Sequence, residues 1–460
     1  MAKNYRDEFI SDALNGIVKG SELERKRELD SIRDKAQRLA LNQFSNLELA
    51  RKRAAFAKWK ATENLDKMIL DWESAFSRKG GKVIWAPEAA DAVNEVLQII
   101  KNHKAQSVIK SKSNLAEEIG LNNFLRKNNI ESIESDLGVW IADQLNYPSN
   151  HMVMPVLDKS FDQISSDLLK NNIFKNKPGS AEDLSLMVSK EIRSKLNEIK
   201  VGITGANFLV ADQGSIVITE NEGNNSSIHA KVNVQIILAG IDKLIPSLTD
   251  LDYLLPLLST YATGQEITAY NTIINSPKLD KESDGPDEIY VILIDNGRTD
   301  LLSKTEQREA LHCIKCGACA HVCPTYKLIG GAPYHTPYSG PIGAVSAPHM
   351  QNYEQQKHLN YSSTFCGACN DVCPVKIDIH HLLEINRKEM MENKEYSTSE
   401  KYAWLAWKKA MLNRKWMNQS SKIKNILLKQ AFKKEWGNNR EFPNIQNASF
   451  NELWREKNPS

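Results

Sequence analysis

All seven cysteines of the 460-residue chain fall in two short runs, and none is placed elsewhere. The first reads Cys313-Ile-Lys-Cys316-Gly-Ala-Cys319-Ala-His-Val-Cys323-Pro324, and the second Cys366-Gly-Ala-Cys369-Asn-Asp-Val-Cys373-Pro374. The first run has the order C-x2-C-x2-C-x3-C-P, in which thiolates hold an iron–sulfur cluster and the fourth cysteine serves the other cluster of a pair. A C-x2-C step lets a tight turn present two sulfurs to one cluster, and the x3 step points the last sulfur away. The proline then ends the local pattern, having no N–H to donate. The second run is the same motif without its first cysteine, and Ser363 stands at the missing position. Crossing the ligands gives one set of Cys313, Cys316, Cys319 and Cys373, and a second set of Cys323, Cys366 and Cys369. The first set is complete. In the second, the fourth iron is open to Ser363 through Oγ, to water or to a partner's ligand, or the cluster is of the three-iron type.

Two simpler readings compete. Disulfides are disfavoured because the number of cysteines is odd and the N-terminus, Met-Ala-Lys-Asn-Tyr-Arg-Asp-Glu, lacks the apolar stretch of a secretory signal. Zinc can use four thiolates in pairs, but it does not explain an x2, x2, x3, Pro order that occurs one and a half times.

The remaining composition bounds the protein. A hydrophobic fraction of 41% is ample for a sizeable core. A net charge of +2 gives no overall electrostatic case for nucleic acid. No stretch approaches the roughly 18 to 20 apolar residues of a membrane helix. Reduced, metal-ready cysteines fit a cytoplasmic location.

The elements that must position the cysteines follow from periodicity. Residues 1–78 read as a charged helical extension, with a Ser21…Glu24 capping-box spacing and Leu29, Ile32, Ala36 and Leu39 near a helical period. Arg51-Lys-Arg53 with Lys58 and Lys60 is a basic cluster, read as a solvated helix face. Residues 79–298 change to an alternation of short strands and helices. Strands are expected at 82–86, 107–110, 131–134, 151–155, 232–238 and 289–294. Helices are expected at 89–103 and 114–127, and a polar helical stretch at 161–196. This alternation predicts an α/β layer structure with a mostly parallel sheet. Gln213-Gly214 reads as a hairpin turn between Phe208–Val210 and Ile216–Ile218, and 221–225 as a polar loop at a strand end. Lys278 to Pro286 reads as a charged connector.

The chain resembles the lactate utilisation protein B family, iron–sulfur subunits of bacterial L-lactate oxidation. The resemblance is carried by Lys110-Ser-Lys-Ser, Glu117-Glu-Ile-Gly-Leu121, Glu134-Ser-Asp-Leu-Gly138, Gly202-Ile-Thr-Gly-Ala-Asn-Phe208, Asn221-Glu-Gly-Asn224, Asp284-Gly-Pro286, Leu293-Ile-Asp-Asn-Gly297, Gly340-Pro-Ile-Gly-Ala344 and both cysteine runs. It implies a LUD-type α/β domain, related in fold to sugar-phosphate isomerases and CoA transferases, over 79–298. It further implies an α-helical ferredoxin-type domain over 299–395, and a vacancy at Ser363 shared across the family. The implied partners are a cysteine-rich domain protein and a second LUD-domain protein.

Within 299–395, Thr305–His312 reads as a helix leading into the first run. The residues from Pro324 read as turn-rich through Gly330-Gly331, Pro333, Pro337, Gly340-Pro341 and Pro348, with Gln351 to Asn360 able to form helix. Seven histidines fall here: His312, His321, His335, His349, His358, His380 and His381. Each is read first as a surface or supporting residue, with cluster tuning, proton transfer or iron ligation as the alternatives. Lys315 and Lys376 are candidates to raise cluster potential. Residues 396–460 form a basic region with Trp404, Trp407, Trp416, Trp436 and Trp454 among Lys408-Lys409, Lys422 and Lys433-Lys434. It is read as a partner-docking element, and peripheral contact with the inner membrane face remains open.

Three functions fit these features. The first is an electron carrier in a complex that oxidises L-lactate to pyruvate, since no G-x-G-x-x-G follows a strand to hold a flavin or nicotinamide. The second is a hydroxy-acid oxidising enzyme that uses the open iron of the three-cysteine cluster as a Lewis acid. The third is a LUD domain acting on its own ligand, with the clusters as a redox sensor.

Overall fold

Ten strands form two sheets. In chain order they are β1 (Lys82–Ala86), β2 (Ser107–Lys110), β3 (Glu131–Glu134), β4 (Val201–Gly205), β5 (Phe208–Val210), β6 (Ser215–Glu220), β7 (Val234–Gly240), β8 (Leu244–Ile245), β9 (Tyr270–Ile274) and β10 (Glu288–Ile294). The computed structural model describes residues 5–15, 17, 21–147, 156, 159–393, 398–417, 425–426, 428–430, 446 and 448–458. These residues group into two compact units, one ending at Arg387 and the other beginning at Lys388.

In the first unit, six strands make a parallel sheet in the order β1-β10-β7-β4-β2-β3. β7 and β4 are its centre, and β10 lies between β1 and β7. Both faces of β10 are covered: Ile292 and Ile294 join one apolar cluster with the helix Ala89–Asn102, while Ile289, Val291 and Leu293 join another with the helix Leu65–Arg78. Burial on two faces explains why these strands read as unbroken apolar runs rather than alternating ones. On the second face, Trp72 and Phe76 stack with ring centroids 5.2 Å apart, and Trp72 Nε1 donates to the Ser215 carbonyl at 3.0 Å. Burying Phe76 stabilises by roughly 1.5–3 kcal/mol.

The remaining strands form a second sheet, β8-β5-β6-β9. β5 and β6 make the expected hairpin, with Val210 opposite Ser215. One side of this sheet shares the second cluster. The other, through Phe208, Val210, Val217 and Ile245, packs with the helix Leu251–Thr263, with Ala54, and with the cysteine-bearing residues. The α/β part and the cysteine part therefore share one continuous apolar core within the first unit.

The expected strands at 82–86, 107–110 and 131–134 are present with those bounds, and those near 232–238 and 289–294 within two residues. The stretch 151–155 lies outside the described residues. The expected helix 114–127 is two helices, Asn114–Glu118 and Leu121–Lys127, because Gly120 adopts φ +68° between them. The glycine- and proline-rich stretch after the first cysteine run contains a helix, Gly340–Met350, buried along nearly its whole length. Pro341 sits in its first turn, where a missing N–H costs nothing, and so marks a helix start rather than a loop. The residues before the first run form a 3₁₀ helix, Gln307–His312.

Candidate iron–sulfur centre

The two cysteine runs adopt one backbone conformation, fifty residues apart. In the first, Lys315 and Gly317 have φ of +60° and +76°, the helix Ala318–Val322 follows, and Cys323 ends it with φ −71° and ψ 120°. In the second, Phe365 and Gly367 have φ of +55° and +79°, the helix Ala368–Val372 follows, and Cys373 ends it with φ −62° and ψ 115°. The two short helices pack against each other. A left-handed residue without glycine is uncommon, and its occurrence at matched positions marks the conformation as part of the motif.

The repeat extends to the position where the cysteines differ. Lys315 N–H donates to Cys313 Sγ at 3.3 Å, and Phe365 N–H donates to Ser363 Oγ at 3.1 Å. Ser363 thus takes the place of Cys313 in the second run, side chain included. Its loop is held by Arg387, which donates to the carbonyls of Asn360 (2.6 Å) and Ser363 (3.1 Å) and lies over the Phe365 ring.

All seven cysteines are free thiols. Cys316, Cys319, Cys323, Cys369 and Cys373 are buried, Cys313 is half-buried and Cys366 is exposed. Burial pushes the buried thiols up, Cys369 to about 11 and Cys373 to about 12. Charges on neighbouring thiols add to this. Cys316 and Cys319 are each raised by Cys313 and Cys373, and Cys373 by Cys313. Cys323 is raised by Cys366, and Cys369 by Cys323 and Cys366. The last cysteine of each run thus has a neighbour in the other run, Cys373 near Cys313 and Cys323 near Cys366.

Buried thiolates are costly without a compensating positive charge, and a metal supplies that charge and deprotonates the thiol outright. The donor set fits a metal–thiolate centre. A single zinc ion, with Zn–S near 2.3 Å, needs sulfurs about 3.8 Å apart. Among the described residues, no three of the sulfurs lie within 4.8 Å of one another; the group that does meet that spacing is Glu8, Asp12 and His335. The x2, x2, x3 order of the cysteines suits clusters of several irons. Backbone N–H groups turn toward the sulfurs as well, from Ile377 to Cys373 at 3.3 Å, Ala318 to Cys316, and Thr325 and Tyr326 to Cys323. Such donors orient the ligands and favour their anionic form.

Several supporting residues carried no sequence signal. Arg51, on the helix Leu47–Glu63, donates to the carbonyls of Cys373 (2.8 Å) and Asp371 (2.8 Å), and its charge favours the Cys373 thiolate. Lys58, on the same helix, is fully buried and donates to the carbonyls of Asp242 (2.6 Å) and Leu244 (3.1 Å). Burial lowers its pKa to about 8, opposed by the Asp242 carboxylate. The solvated-face reading of this basic cluster holds for Lys52, Arg53 and Lys60, which are exposed, and fails for Arg51 and Lys58.

Behind the first run lies a buried ion triad. Arg298 donates to Asp242 Oδ1 through Nε at 2.6 Å and to both Glu118 oxygens at 2.8 and 2.9 Å. Burial alone would raise both carboxyls, but the guanidinium reverses this and holds each below its ordinary value. Gly240 permits the approach: a Cβ there would lie 2.3 Å from Asp242 Oδ1 and 2.7 Å from Arg298 Nε. Lys315 extends the network, its Nζ 3.8 Å from Asp242 Oδ2 and over the Tyr338 ring. The ammonium of Lys376 pairs with Glu48. Both lysines proposed as potential-raising charges are therefore partly offset by carboxylates.

The seven histidines divide by environment. His335, His349 and His381 pair with Asp12, Asn386 and Glu306, at 2.9, 2.9 and 2.8 Å. His380 packs edge-on against Phe365, and His358 packs against Phe9. His312 is buried, and burial with the nearby Lys58 charge lowers it to about 4, so it stays neutral; burial likewise keeps His321 neutral. In the second unit, Trp404, Trp407 and Trp454 are exposed. The Trp416 side chain, Trp436, Lys422 and Lys433-Lys434 lie outside the described residues. No helix among the described residues is long and apolar enough to cross a membrane.

Known proteins place this architecture. Residues 69–294 match the LUD domain, and residues 309–377 the 4Fe-4S dicluster domain. The chain is 36% identical over 407 residues to lactate utilization protein B of Oceanobacillus iheyensis, covering 86% of this chain and 85% of that one. It is 37% identical over 372 residues to lactate utilization protein B of Anoxybacillus flavithermus, covering 78% of each. Among solved structures, a DUF162 family protein from Deinococcus radiodurans aligns with a TM-score of 0.28 at 10% identity, covering 50% of this chain and 98% of that one.

Proposed function

Because the chain belongs to the lactate utilization protein B family, we propose that it is the iron–sulfur electron-transfer subunit of a multi-protein system that oxidises L-lactate to pyruvate. The observation that supports this reading is the duplicated backbone of the two cysteine runs, whose thiols lie near one another across the repeat. Cys313, Cys316, Cys319 and Cys373 would hold one four-iron cluster. Cys323, Cys366 and Cys369 would hold a second, with Ser363 Oγ at its fourth position. When bound, such clusters accept and release single electrons, over potentials spanning about −700 to +450 mV.

The protein's own residues set the conditions for that transfer. Burial of the first group limits water around its sulfurs, while Arg51 and the backbone N–H donors favour the added negative charge of a reduced state. The exposed Cys366 brings the second group to the surface of its unit, where a partner can approach. Removal of hydride from lactate falls to a partner, either a cysteine-rich domain protein or a second LUD-domain protein, and the exposed tryptophans of the second unit suit docking of such a subunit.

A second reading is favoured by the oxygen at Ser363 in place of sulfur: the second group could leave one iron open to a hydroxy acid as a Lewis acid. An anaerobic assay of the isolated, cluster-loaded chain separates the two. The carrier reading expects no conversion of L-lactate to pyruvate with an artificial electron acceptor. Turnover by this chain alone would overturn it.

A further inference from the structure

The strands β2, β4 and β7 all end at one edge of the parallel sheet, and the loop between Cys313 and Cys316 closes over that edge. Between them lies a cavity of about 180 Å³. The carboxyl edge of an open parallel sheet is where such folds take ligands. Here the edge is roofed by residues of the first cysteine run, Ile314 and Lys315.

Three ammonium groups line the cavity: Lys112 just beyond β2, Lys243 just beyond β7, and Lys315 from the cysteine loop. Lys112 has acidic neighbours in Asp136 and Glu117. Lys243 makes no hydrogen bond among the described residues; burial disfavours its charge, and the charges of Asp242 and Cys313 favour it. Asp242 is the carboxylate closest in sequence, but its Oδ1 is committed to Arg298, and its Oδ2 lies 3.8 Å from Lys315 without a hydrogen bond. Glu118 is likewise held by Arg298. Lys58, Lys243, Lys315 and Arg298 share two carboxylates, Asp242 and Glu118, and Cys313 of the first thiol group acts on Lys58 and Lys243 as well. An ammonium that makes no hydrogen bond at a cavity wall is unfavourable, so Lys243 asks for an acceptor in the cavity.

The other walls narrow its class. Asn207 accepts from Thr219 N–H through Oδ1 at 3.0 Å, which leaves its NH₂ as a donor at the cavity wall. Ile218, Leu238 and Ile314 supply an apolar side. A phosphate, polar in every direction, would leave that side unmatched. A small acid with one short alkyl group and one further polar group matches all three surfaces.

We propose that this cavity binds a short-chain hydroxy- or keto-carboxylate, its carboxylate held by Lys243 with Lys315 and its polar group by Asn207. Lys315 joins the site to the first thiol group, because its backbone N–H donates to Cys313 Sγ while its side chain faces the cavity. Occupancy of the cavity is therefore felt at the first cluster. The proposal rests on the lactate reading only for the acids chosen as probes.

The test is anaerobic calorimetric titration of the full, cluster-loaded chain with L-lactate, pyruvate and inorganic phosphate. The expected result is saturable binding of L-lactate or pyruvate that phosphate does not displace, weakened at least tenfold, or about 1.4 kcal/mol, by Lys243→Gln. The Lys243→Gln chain should keep its iron content and its ligand-free EPR spectrum. If it does not, Ala206→Leu, which fills the cavity without changing a charge, carries the test and should abolish the same binding. Absence of saturable binding by either acid would overturn the proposal and leave the lysines as countercharges of the thiolates. Binding of phosphate alone would overturn the ligand class, and binding that survives both substitutions would place the acid elsewhere. None of these failures touches the electron-transfer reading, which is read from the clusters and not from ligand heat.

Discussion

The first cysteine run is enclosed where the second meets solvent. Cys316, Cys319 and Cys323 are buried beneath the helix Gly340–Met350 and against the α/β part, and the loop between Cys313 and Cys316 is backed by Lys315, Asp242 and Arg298. The second run has the same turns and the same short helix, but Cys366 is exposed and Ser363 replaces a thiol. The difference teaches that one local motif can serve two ends of a path. A closed set of four thiolates, shielded from water, suits storage and passage of charge. A set that reaches the surface through Cys366, with one oxygen, suits exchange with something outside. In the proposed assignment Cys323 and Cys373 cross between the runs, so each cluster would need a ligand from both.

Breaking the crossing has the largest expected effect. Cys373→Ala should remove the spectrum of the cluster held by Cys313, Cys316 and Cys319, although it lies in the second run, with loss of roughly half the iron. Cys323→Ala should remove the other. Anaerobic EPR with iron analysis checks both, and each variant abolishing the cluster of its own run would refute the crossed assignment.

The support behind the first run is next. Arg298→Ala leaves Glu118 and Asp242 buried and unpaired, and breaking a buried pair costs about 3–5 kcal/mol. Denaturant unfolding of the cluster-loaded chain should show this loss. The pH dependence has a definite sign. Both carboxyls are held below their ordinary values in the folded protein. Their contribution is present above the ordinary carboxylate range and is lost as pH falls through the depressed values. The gap between wild type and Arg298→Ala should therefore narrow on acidification, and a gap that widens would show that the triad is not the source.

Arg51→Ala should have a smaller effect on stability, about 1.5–3 kcal/mol for the lost charged hydrogen bonds. It should also lower the potential of the first cluster by removing a positive charge beside Cys373, while leaving the second unmoved in a redox titration. The smallest effect is expected at Ser363. Ser363→Cys should retain both clusters and shift only the spectrum of the second toward an all-thiolate form. Ser363→Ala should also alter that spectrum, and a spectrum unchanged by alanine would assign the fourth position to something other than serine.

The chemistry was more legible in the sequence than its setting. The cysteine spacing marked the iron–sulfur domain, and short apolar or β-branched segments marked the strands of the parallel sheet other than β4, because both are written in neighbouring residues. The triad of Glu118, Asp242 and Arg298 is spread over 180 residues and leaves no local pattern. Arg51 and Lys58 looked like any charged helix face, since periodicity reports which positions are apolar and not which cations find a carbonyl. Gly340–Met350 was obscured because proline in a first turn and in a loop look alike until the next turn is seen. β8 is too brief to stand out from its surroundings, and β9, with Tyr270 and Ile273 exposed, presents no buried apolar run.

The central claim is that the seven thiols, with Ser363, build two unequal clusters. Mössbauer spectroscopy of the anaerobically purified, iron-57-labelled chain, with iron and sulfide counted on the same sample, tests it most directly. The account predicts about eight irons per chain, in two distinguishable four-iron sites, one of which contains a single iron unlike its neighbours. A single site, or two sites with all irons alike, would contradict it.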